Sequence, residues 1–293
     1  VYARALANSR DTSTGRFSEA VRAARQSDVV IVFLGEEAIL SGEARSRAFL
    51  DLPGAQASLV DAIAATGKPI IEVILAGRPL TFNDPAEKAR AILYAWHPGT
   101  MGGPAIAKLL FGDAAPSGKL PVTFPRTVGQ VPIYYDHLST GRPAAASELG
   151  IPMGNPANPT GYTSKYIDVD FTPEYPFGFG LSYTTFRYSN THFSNGVASA
   201  EVLNTGNREA REIVELYVSG PTGGSVARPV RELKGFRRID LKPGEKMTVR
   251  FSISQKDLAY YNADLKFGAE PGEYRVWIAP DSTRGVPADF VIR

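Results

Sequence analysis

The residues with the clearest chemical potential in this sequence form a polar loop, Ser41–Arg47, that reads Ser-Gly-Glu-Ala-Arg-Ser-Arg. It follows a continuous apolar run at residues 28–34, which predicts a buried strand. In an open α/β sheet, ligands bind beyond the carboxyl ends of the strands. At that edge Glu43 can donate or accept a proton, and Gly42 lets the backbone come close to a ligand. The loop is therefore a candidate catalytic loop.

The same loop also fits a plainer interpretation, because charged loops are usually solvated surface. Arg45 and Arg47 can hold an anionic group of a ligand, or they can pair with Glu36 and Glu37 at the end of the strand. These residues by themselves leave both interpretations open.

Composition narrows the class of protein. The chain has 293 residues, which predicts about two domains of ~150 residues each. It is 43% hydrophobic and 21% charged, as expected of a globular protein with a sizeable core. The net charge of +2 with no basic block argues against nucleic-acid binding, and no apolar run is long enough to span a membrane. Because the chain has no Cys and only three widely spaced His, we expect no metal site.

Residues 1–125 alternate between helical and strand patterns. Helices are predicted at residues 17–25, 53–65, 85–88 and 104–111, and strands at residues 28–34, 70–75 and 91–96. This alternation indicates βαβ units, hence an α/β domain with a mainly parallel sheet flanked by helices. The unbroken apolar run at 28–34 favours a strand covered on both faces. Residues 119–124 are a candidate edge strand, since Pro121 excludes a central position.

The rest of the chain changes character twice. Residues 126–189 are rich in Pro, Gly, Tyr and Asn and are predicted to be a loop-rich connection, with a linker at Pro152–Pro159. Residues 190–293 are predicted to form an all-β, immunoglobulin-like sandwich, because short alternating strands are separated by regular turns. The predicted strands lie at residues 212–218, 230–239, 247–253 and 274–279.

Three further motifs allow more than one interpretation. The Gly-rich run Gly99–Gly103 lies where a phosphate loop would, but its spacing matches neither nucleotide-binding pattern and favours a tight turn. Trp96 and His97, at the end of a strand, can bind a sugar or can be ordinary rim residues. The segment Pro176–Thr184 alternates Phe and Gly, which favours packing over an aromatic platform for a ligand.

Taken together, these segments resemble glycoside hydrolase family 3, and they look closest to its bacterial β-glucosidase branch. The likeness covers nearly the whole chain after residue 15. It is carried by the Ser41–Arg47 loop, Gly67-Lys68-Pro69, Trp96 with Gly99, Gly102 and Gly103, residues 111–125, residues 175–184, Asn204-Thr205-Gly206 and residues 241–245.

The resemblance implies an enzyme built from a TIM barrel, an α/β sandwich domain and a fibronectin type III-like module, in that order. It implies hydrolysis of β-linked glycosides with retention, without metal or organic cofactor. The nucleophile of the family is an Asp on the barrel, and the acid/base in this branch is a Glu in the loop that matches Ser41–Arg47. Glu43 inherits that role, and Trp96, His97 and Arg45 are candidate substrate-binding residues.

The sequence departs from the family in one respect. A (β/α)₈ barrel needs roughly 200 residues or more, and these 293 residues contain none. We therefore expect an N-terminal TIM-barrel polypeptide as a partner, no activity from this chain alone, and a segment at 175–184 that packs against the barrel or the α/β domain. The chain starts at Val1 without Met or a signal-like segment, so it looks like a piece of a longer protein. A periplasmic or secreted location is expected.

Two alternatives remain open at this stage. Barrel residues mostly set the choice of sugar, so a β-xylosidase of the same family fits as well as a β-glucosidase. A non-catalytic carbohydrate-binding or scaffold protein is the other alternative, although a carboxylate loop at the edge of an α/β sheet argues against it.

Overall fold

The computed structural model describes residues 1–144 and 162–293, and the predicted linker Pro152–Pro159 lies outside the described residues. The chain divides into two compact units. The first contains Val1–Phe111 and Phe124–Val131, and the second contains Gly112–Thr123 and Pro132–Arg293. No helix in the described part of the chain is both long and apolar enough to cross a membrane.

The first unit alternates helices and strands as predicted. Its three strands are parallel and lie in the order β1-β2-β3, with Ile31 beside Ile71 and Ile71 beside Ala91. The elements are α1 (Phe17–Arg25), β1 (Val30–Gly35), α2 (Gln56–Ala64), β2 (Ile70–Leu75), α3 (Asn83–Lys88), β3 (Ala91–Tyr94) and α4 (Gly102–Leu110), with short 3₁₀ turns at Ala38–Leu40 and Val128–Gln130. The prediction of a parallel sheet with helices is confirmed.

Strand β1 differs from the prediction of a strand covered on both faces. Val32 and Leu34 are buried, but Ile31 is 39% exposed and Phe33 is 59% exposed. Successive residues of a strand point to opposite faces, so one face of β1 packs on the core while the other is left open by the described residues. Strand β1 also lies at the edge of the three-stranded sheet.

A carboxyl group lies in the middle of the central strand, β2. Glu72 is fully buried, and neither of its carboxylate oxygens has a hydrogen-bond partner in the described structure. Burial raises the pKa of Glu72 to about 7, and the charge of Lys88 offsets part of that rise. An unpartnered buried carboxyl group is tolerated much better as the neutral acid than as the anion.

We therefore expect Glu72→Gln to remove part of the pH dependence of stability. The folded-state pKa of Glu72 lies above its ordinary value of 4.5. The stability that the protonated group contributes is thus complete below pH 4.5 and is lost as the pH rises to about 7. Over this range, urea denaturation should show that the wild type loses up to about 3 kcal/mol more stability than the variant.

The matched control is Glu87→Gln, which changes an exposed carboxylate on the neighbouring helix α3. It should follow the wild-type pH profile. If the difference in unfolding free energy between Glu72→Gln and the wild type stays constant from pH 4 to pH 8, the buried acid is not titrating as described.

The second unit is a β-sandwich, as predicted. Two antiparallel sheets, ordered β4-β5-β8 and β12-β11-β6-β7, bury a core that includes Val202, Val214 and Val276. The strands are β4 (Phe186–Ser194), β5 (Val197–Asn204), β6 (Ala210–Thr222), β7 (Glu232–Leu241), β8 (Lys246–Ser252), β9 (Tyr260–Tyr261), β10 (Phe267–Gly268), β11 (Gly272–Ala279) and β12 (Ala288–Ile292), with one short helix, α5 (Gln255–Leu258). Strands β9 and β10 form a separate two-stranded hairpin.

The candidate edge strand at residues 119–124 is not a strand. Leu120 instead pairs with the Phe–Gly segment: its N–H donates to the carbonyl of Phe179 at 2.8 Å, and its carbonyl accepts from the N–H of Gly178 at 2.9 Å. Pro121 follows immediately and has no N–H with which to extend a ladder. Two hydrogen bonds thus fix this segment without a regular sheet.

The segment at 175–184 packs against the sandwich, and its packing against a barrel or the α/β domain stays a prediction. The ring of Phe177 stacks on Tyr135 with 4.3 Å between ring centroids. Both rings pack on a buried cluster formed by Tyr217, Trp277 and Ala279. The alternation of Phe and Gly serves packing here, which was the interpretation favoured from the sequence.

Candidate active site

Loops from the carboxyl ends of all three parallel strands meet at one place. Ser41 follows β1, Gly77 follows β2 and His97 follows β3. The hydroxyl oxygen of Ser41 lies 3.4 Å from Nε2 of His97. A Cβ atom on Gly77 would lie 2.4 Å from that hydroxyl and 2.6 Å from that nitrogen, so only glycine leaves room for the contact. Parallel strands end at the same edge, which brings together residues that are far apart in the sequence.

A buried carboxylate with two arginine partners lies at this edge, and we call this arrangement the ion pair of Glu36. The side chain of Glu36, directly after β1, is completely buried. Its Oε1 accepts a hydrogen bond from Nη1 of Arg47 at 2.5 Å, and its Oε2 accepts one from Nε of Arg78 at 3.1 Å. Both guanidinium groups are mostly buried as well. Charge-assisted hydrogen bonds to both oxygens offset the cost of taking the carboxylate out of water.

The same two arginines hold the backbone of the Ser41–Arg47 loop. Nη2 of Arg78 donates to the carbonyl of Leu40 and, at 3.0 Å, to the carbonyl of Arg45. Nη2 of Arg47 donates to the carbonyl of Asp51 at 2.9 Å. The residues before and after the tip of the loop are therefore fixed to strands β1 and β2 through one carboxylate.

Glu43 lies at the exposed tip of this loop. The backbone turns through the left-handed region at Gly42 (φ 110°) and again at Ala44 (φ 58°). The N–H of Arg45 closes the turn by donating to the carbonyl of Gly42 at 3.2 Å. The left-handed conformation of a residue with a Cβ is less favourable by about 1–2 kcal/mol. The hydrogen bonds that anchor the ends of the loop offset this conformational energy. The arrangement presents a solvent-exposed carboxyl group on a turn with fixed ends.

The structure decides how the charged residues around the loop pair. Arg47 pairs with Glu36, and Glu37 pairs with Arg10 at 3.1 Å on the surface. The side chain of Arg45 is exposed, and it is the carbonyl of this residue that is anchored. A substrate-binding role for Arg45 stays a prediction.

Trp96 belongs to an aromatic cluster in the first unit. Its ring meets Tyr94 and Phe124 edge-on, with centroids 4.8 Å and 5.8 Å away. Tyr94 and Phe124 are themselves 4.9 Å apart, and Phe82 packs on both. Much of the Trp96 side chain is therefore packed against these rings, and the side chain is only partly exposed. Binding of sugar by Trp96 or His97 stays a prediction.

The phenol of Tyr94 adds a further tie between β3 and the loop after β2. Its hydroxyl donates to the carbonyl of Arg78 and accepts from the N–H of Leu80 at 3.3 Å. Burial raises the pKa of Tyr94, so the phenol stays protonated and keeps its donor. Tyr94 thus holds the backbone at Arg78, while Glu36 holds the Arg78 side chain.

The sequence patterns suggested the pairing of Arg47 with Glu36 as one alternative, but they did not single out Gly77 or Arg78. A signal was present, since Glu36 directly follows β1 and Arg78 lies in the loop just after β2, and the ends of neighbouring parallel strands adjoin in space. The Gly99–Gly103 run forms a turn against α4, where a Cβ on Gly102 would lie 2.6 Å from the Pro98 ring. Among the residues that the structure describes, no three His, Cys, Asp or Glu side chains are arranged to hold a metal ion.

Comparison with known proteins identifies the family. Residues 4–183 match the glycosyl hydrolase family 3 C-terminal domain, and residues 212–282 match the fibronectin type III-like domain. The chain belongs to glycoside hydrolase family 3. Relatives that resemble it include β-glucosidases and β-xylosidases.

This family 3 chain is 46% identical to the periplasmic beta-glucosidase of Salmonella typhimurium over 280 residues, 93% of the chain and 35% of that protein. It is 41% identical to a beta-xylosidase of Formosa agariphila over 278 residues, 91% of the chain and 35% of that protein. The crystal structure of a beta-glucosidase from Listeria innocua in complex with glucose superposes with a TM-score of 0.86 at 35% identity, covering 97% of the chain and 39% of that structure. The chain thus spans about a third of the length of the curated relatives it matches.

Replacing Glu36 by Gln should destabilise the first unit by about 3–5 kcal/mol, because two mostly buried guanidinium groups would lose their carboxylate. Urea denaturation measures the loss. The chain has two Trp residues, one in each unit, so the background variant Trp277→Phe leaves Trp96 as a fluorescent reporter of the first unit. Glu37→Gln is the control, and it should cost only about 0–1 kcal/mol because its ion pair with Arg10 is exposed. Equal losses in both variants would contradict a special role for Glu36.

Replacing Gly77 by Ala should loosen the Ser41–Arg47 loop, because the new methyl group would occupy the space of the Ser41 hydroxyl and the His97 ring. We expect a modest loss of stability, about 1–3 kcal/mol, and faster cleavage by trypsin after Arg45. The control is Gly103→Ala in helix α4, where no atom lies within 4 Å of the added Cβ. That change should leave tryptic cleavage unaltered. Equal cleavage rates in the two variants would show that the crowding at Gly77 does not hold the loop.

Proposed function

We propose that this chain is the C-terminal portion of a retaining β-glucosidase that releases β-linked glucose from the non-reducing end of oligosaccharides or aryl glycosides, with Glu43 as its general acid/base. The observation that supports this most is the placement of Glu43. Its carboxyl group is exposed and lies beyond the carboxyl end of β1. The residues on both sides of it are anchored through Glu36, and the chain belongs to family 3.

The mechanism requires a second carboxyl group. Retaining glycosidases use a nucleophile and an acid/base whose carboxyl groups lie about 5–5.5 Å apart. In this proposal the nucleophile is an Asp on a TIM barrel outside these residues, and the barrel polypeptide is the partner of the chain. Glu43 protonates the leaving oxygen as the nucleophile attacks the anomeric carbon, and it then deprotonates the water that releases the sugar. It follows that the chain alone is inactive.

Glu43 must carry a proton to act as the acid. Covering the tip of the loop by the barrel and the sugar would desolvate the carboxyl group, and a nearby anionic nucleophile would add to the effect. The guanidinium group of Arg47 is engaged by Glu36, so its charge is already compensated and it is not free to pair with Glu43.

The relatives support the substrate class and the location. The protein from Salmonella typhimurium is named a periplasmic beta-glucosidase, and the beta-glucosidase from Listeria innocua was crystallised with glucose. On this basis we place the enzyme in the periplasm or outside the cell. A β-xylosidase is the second candidate, because a beta-xylosidase aligns at 41% identity over almost the same part of the chain. Trp96, His97 and Arg45 remain the proposed substrate-binding residues of this edge.

In the complete enzyme, Glu43→Gln should slow hydrolysis of a disaccharide by ~10²–10⁴-fold, the usual contribution of general acid–base catalysis. A dinitrophenyl glucoside should still form the glycosyl-enzyme, because dinitrophenolate leaves without protonation. The intermediate should then accumulate, since water lacks its base. Azide needs no base, so it should speed turnover and yield a β-glycosyl azide with retained configuration.

Glu37→Gln is the matched control, since it removes an exposed carboxylate from the same connection after β1. Glu36→Gln is unsuitable for this purpose because it dismantles the ion pair that anchors the loop. If Glu43→Gln slows the disaccharide and the dinitrophenyl glucoside equally, and azide changes nothing, then another carboxyl group is the acid/base.

A further inference from the structure

The β9–β10 hairpin of the second unit presents three large apolar side chains to solvent. Tyr261 is 66% exposed, Phe267 is 63% exposed and Leu265, in the connecting turn, is 81% exposed. Tyr261 and Phe267 are direct cross-strand partners, so their rings share one face of the hairpin, with centroids 5.1 Å apart. The two adjoining exposed rings make this face of the hairpin a candidate binding surface.

The opposite face of the hairpin is firmly anchored. Tyr260 points inward, where its hydroxyl donates to Glu270 and the guanidinium group of Arg228 lies 3.9 Å from the centre of its ring. Ser225 donates to the same carboxylate through its N–H at 3.0 Å and its hydroxyl at 2.7 Å. The hydrogen bonds from Tyr260 and Ser225 lower the pKa of Glu270 to about 2, so this anchor stays ionised at neutral pH.

The turn between the two strands is also well defined. The side-chain carbonyl of Asn262 accepts from the N–H groups of Asp264 and Lys266 at 3.0 Å and 2.9 Å. The N–H of Leu265 donates to the carbonyl of Asn262 at 3.0 Å. Leu265 adopts a left-handed backbone (φ 59°), an unfavourable conformation for a residue with a Cβ, while its side chain faces solvent. Such rigidity lowers the entropic cost of binding a ligand.

The size of the patch argues for a small ligand over a protein. An aromatic side chain buries about 150–250 Å² when fully covered, so the two partly exposed rings offer on the order of 300 Å². A stable protein–protein interface needs ~800 Å² from each partner. The two rings by themselves fall well short of a protein–protein interface, whereas one or two sugar rings match their dimensions.

We propose that Tyr261 and Phe267 form a second carbohydrate-binding site, separate from the candidate active site, that holds glucosyl rings of a β-glucan chain. The choice of ligand class rests on the proposed function; the existence of a binding patch does not. A pyranose ring combines an apolar face of C–H groups with a rim of hydroxyls. The aromatic rings can pack on the apolar face of the sugar. The exposed carboxylate of Asp264 and ammonium group of Lys266 can hydrogen-bond to its hydroxyl groups.

Binding of laminarihexaose and cellohexaose to the chain tests this proposal. Isothermal titration gives the affinity, and amide chemical shifts give the location. We expect one of the two sugars to bind and to perturb the amides of Tyr261, Leu265 and Phe267. Tyr261→Ala and Phe267→Ala should each weaken binding about 10-fold or more, the size of one lost ring contact. Tyr261→Phe keeps the ring and should bind nearly as the wild type.

Phe236→Ala is the matched control, because Phe236 is an aromatic residue of the same sandwich, on strand β7, with a similar exposure of 67%. It should leave sugar binding unchanged, and all variants should keep the wild-type melting temperature. Three results would overturn the proposal: neither hexasaccharide binds, binding survives both hairpin substitutions, or sedimentation shows that the hairpin joins two copies of the chain. None of these results depends on Glu43, since no hydrolysis is measured.

Discussion

The carboxylate of Glu36 is buried between the guanidinium groups of Arg47 and Arg78, and the candidate active site depends on this arrangement. Removing a carboxylate from water costs several kcal/mol, and only close contact with both cations compensates that cost. The ion pair is thus unlike the surface pairs of this chain, each of which contributes little to stability. Because its members come from the ends of two strands and from a loop, it forms only when the parallel sheet is in register.

A loop that is fixed at its ends and exposed at its tip suits a group that must be completed by another part of an enzyme. Catalytic groups need accurate placement, which the anchored carbonyls of Leu40 and Arg45 provide. Glu43 is exposed in this unit. In the proposed enzyme the barrel covers it, so the acid is enclosed only where a sugar and a nucleophile are also present.

Sequence patterns predicted the layout of both units because local periodicity reports local structure. Helix α1 and strand β2 lie where their apolar patterns indicated, and β8 follows its strict alternation. Strand β4 was missed because its register shifts between Ser189 and His192, which breaks the two-residue period. The open face of β1 and the irregular course of residues 119–124 depend on which elements are neighbours, and periodicity does not contain that information. The loop is a local feature of the sequence, so it was recognised as a candidate site. The ion pair between Glu36 and Arg78 joins residues far apart in the sequence, so it was not recognised.

The ion pair of Glu36 places the loop that carries Glu43. Hydrogen–deuterium exchange of Glu36→Gln under native conditions tests this claim most directly. Exchange of residues 40–47 should increase by a much larger factor than exchange of strand β2, because the anchors at Leu40 and Arg45 are released whereas β2 responds only to the lower stability of the unit. Unchanged exchange of residues 40–47 would contradict the claim, because the loop would then hold its position without the carboxylate. So would a uniform increase over the whole first unit, which would assign Glu36 to general stability alone.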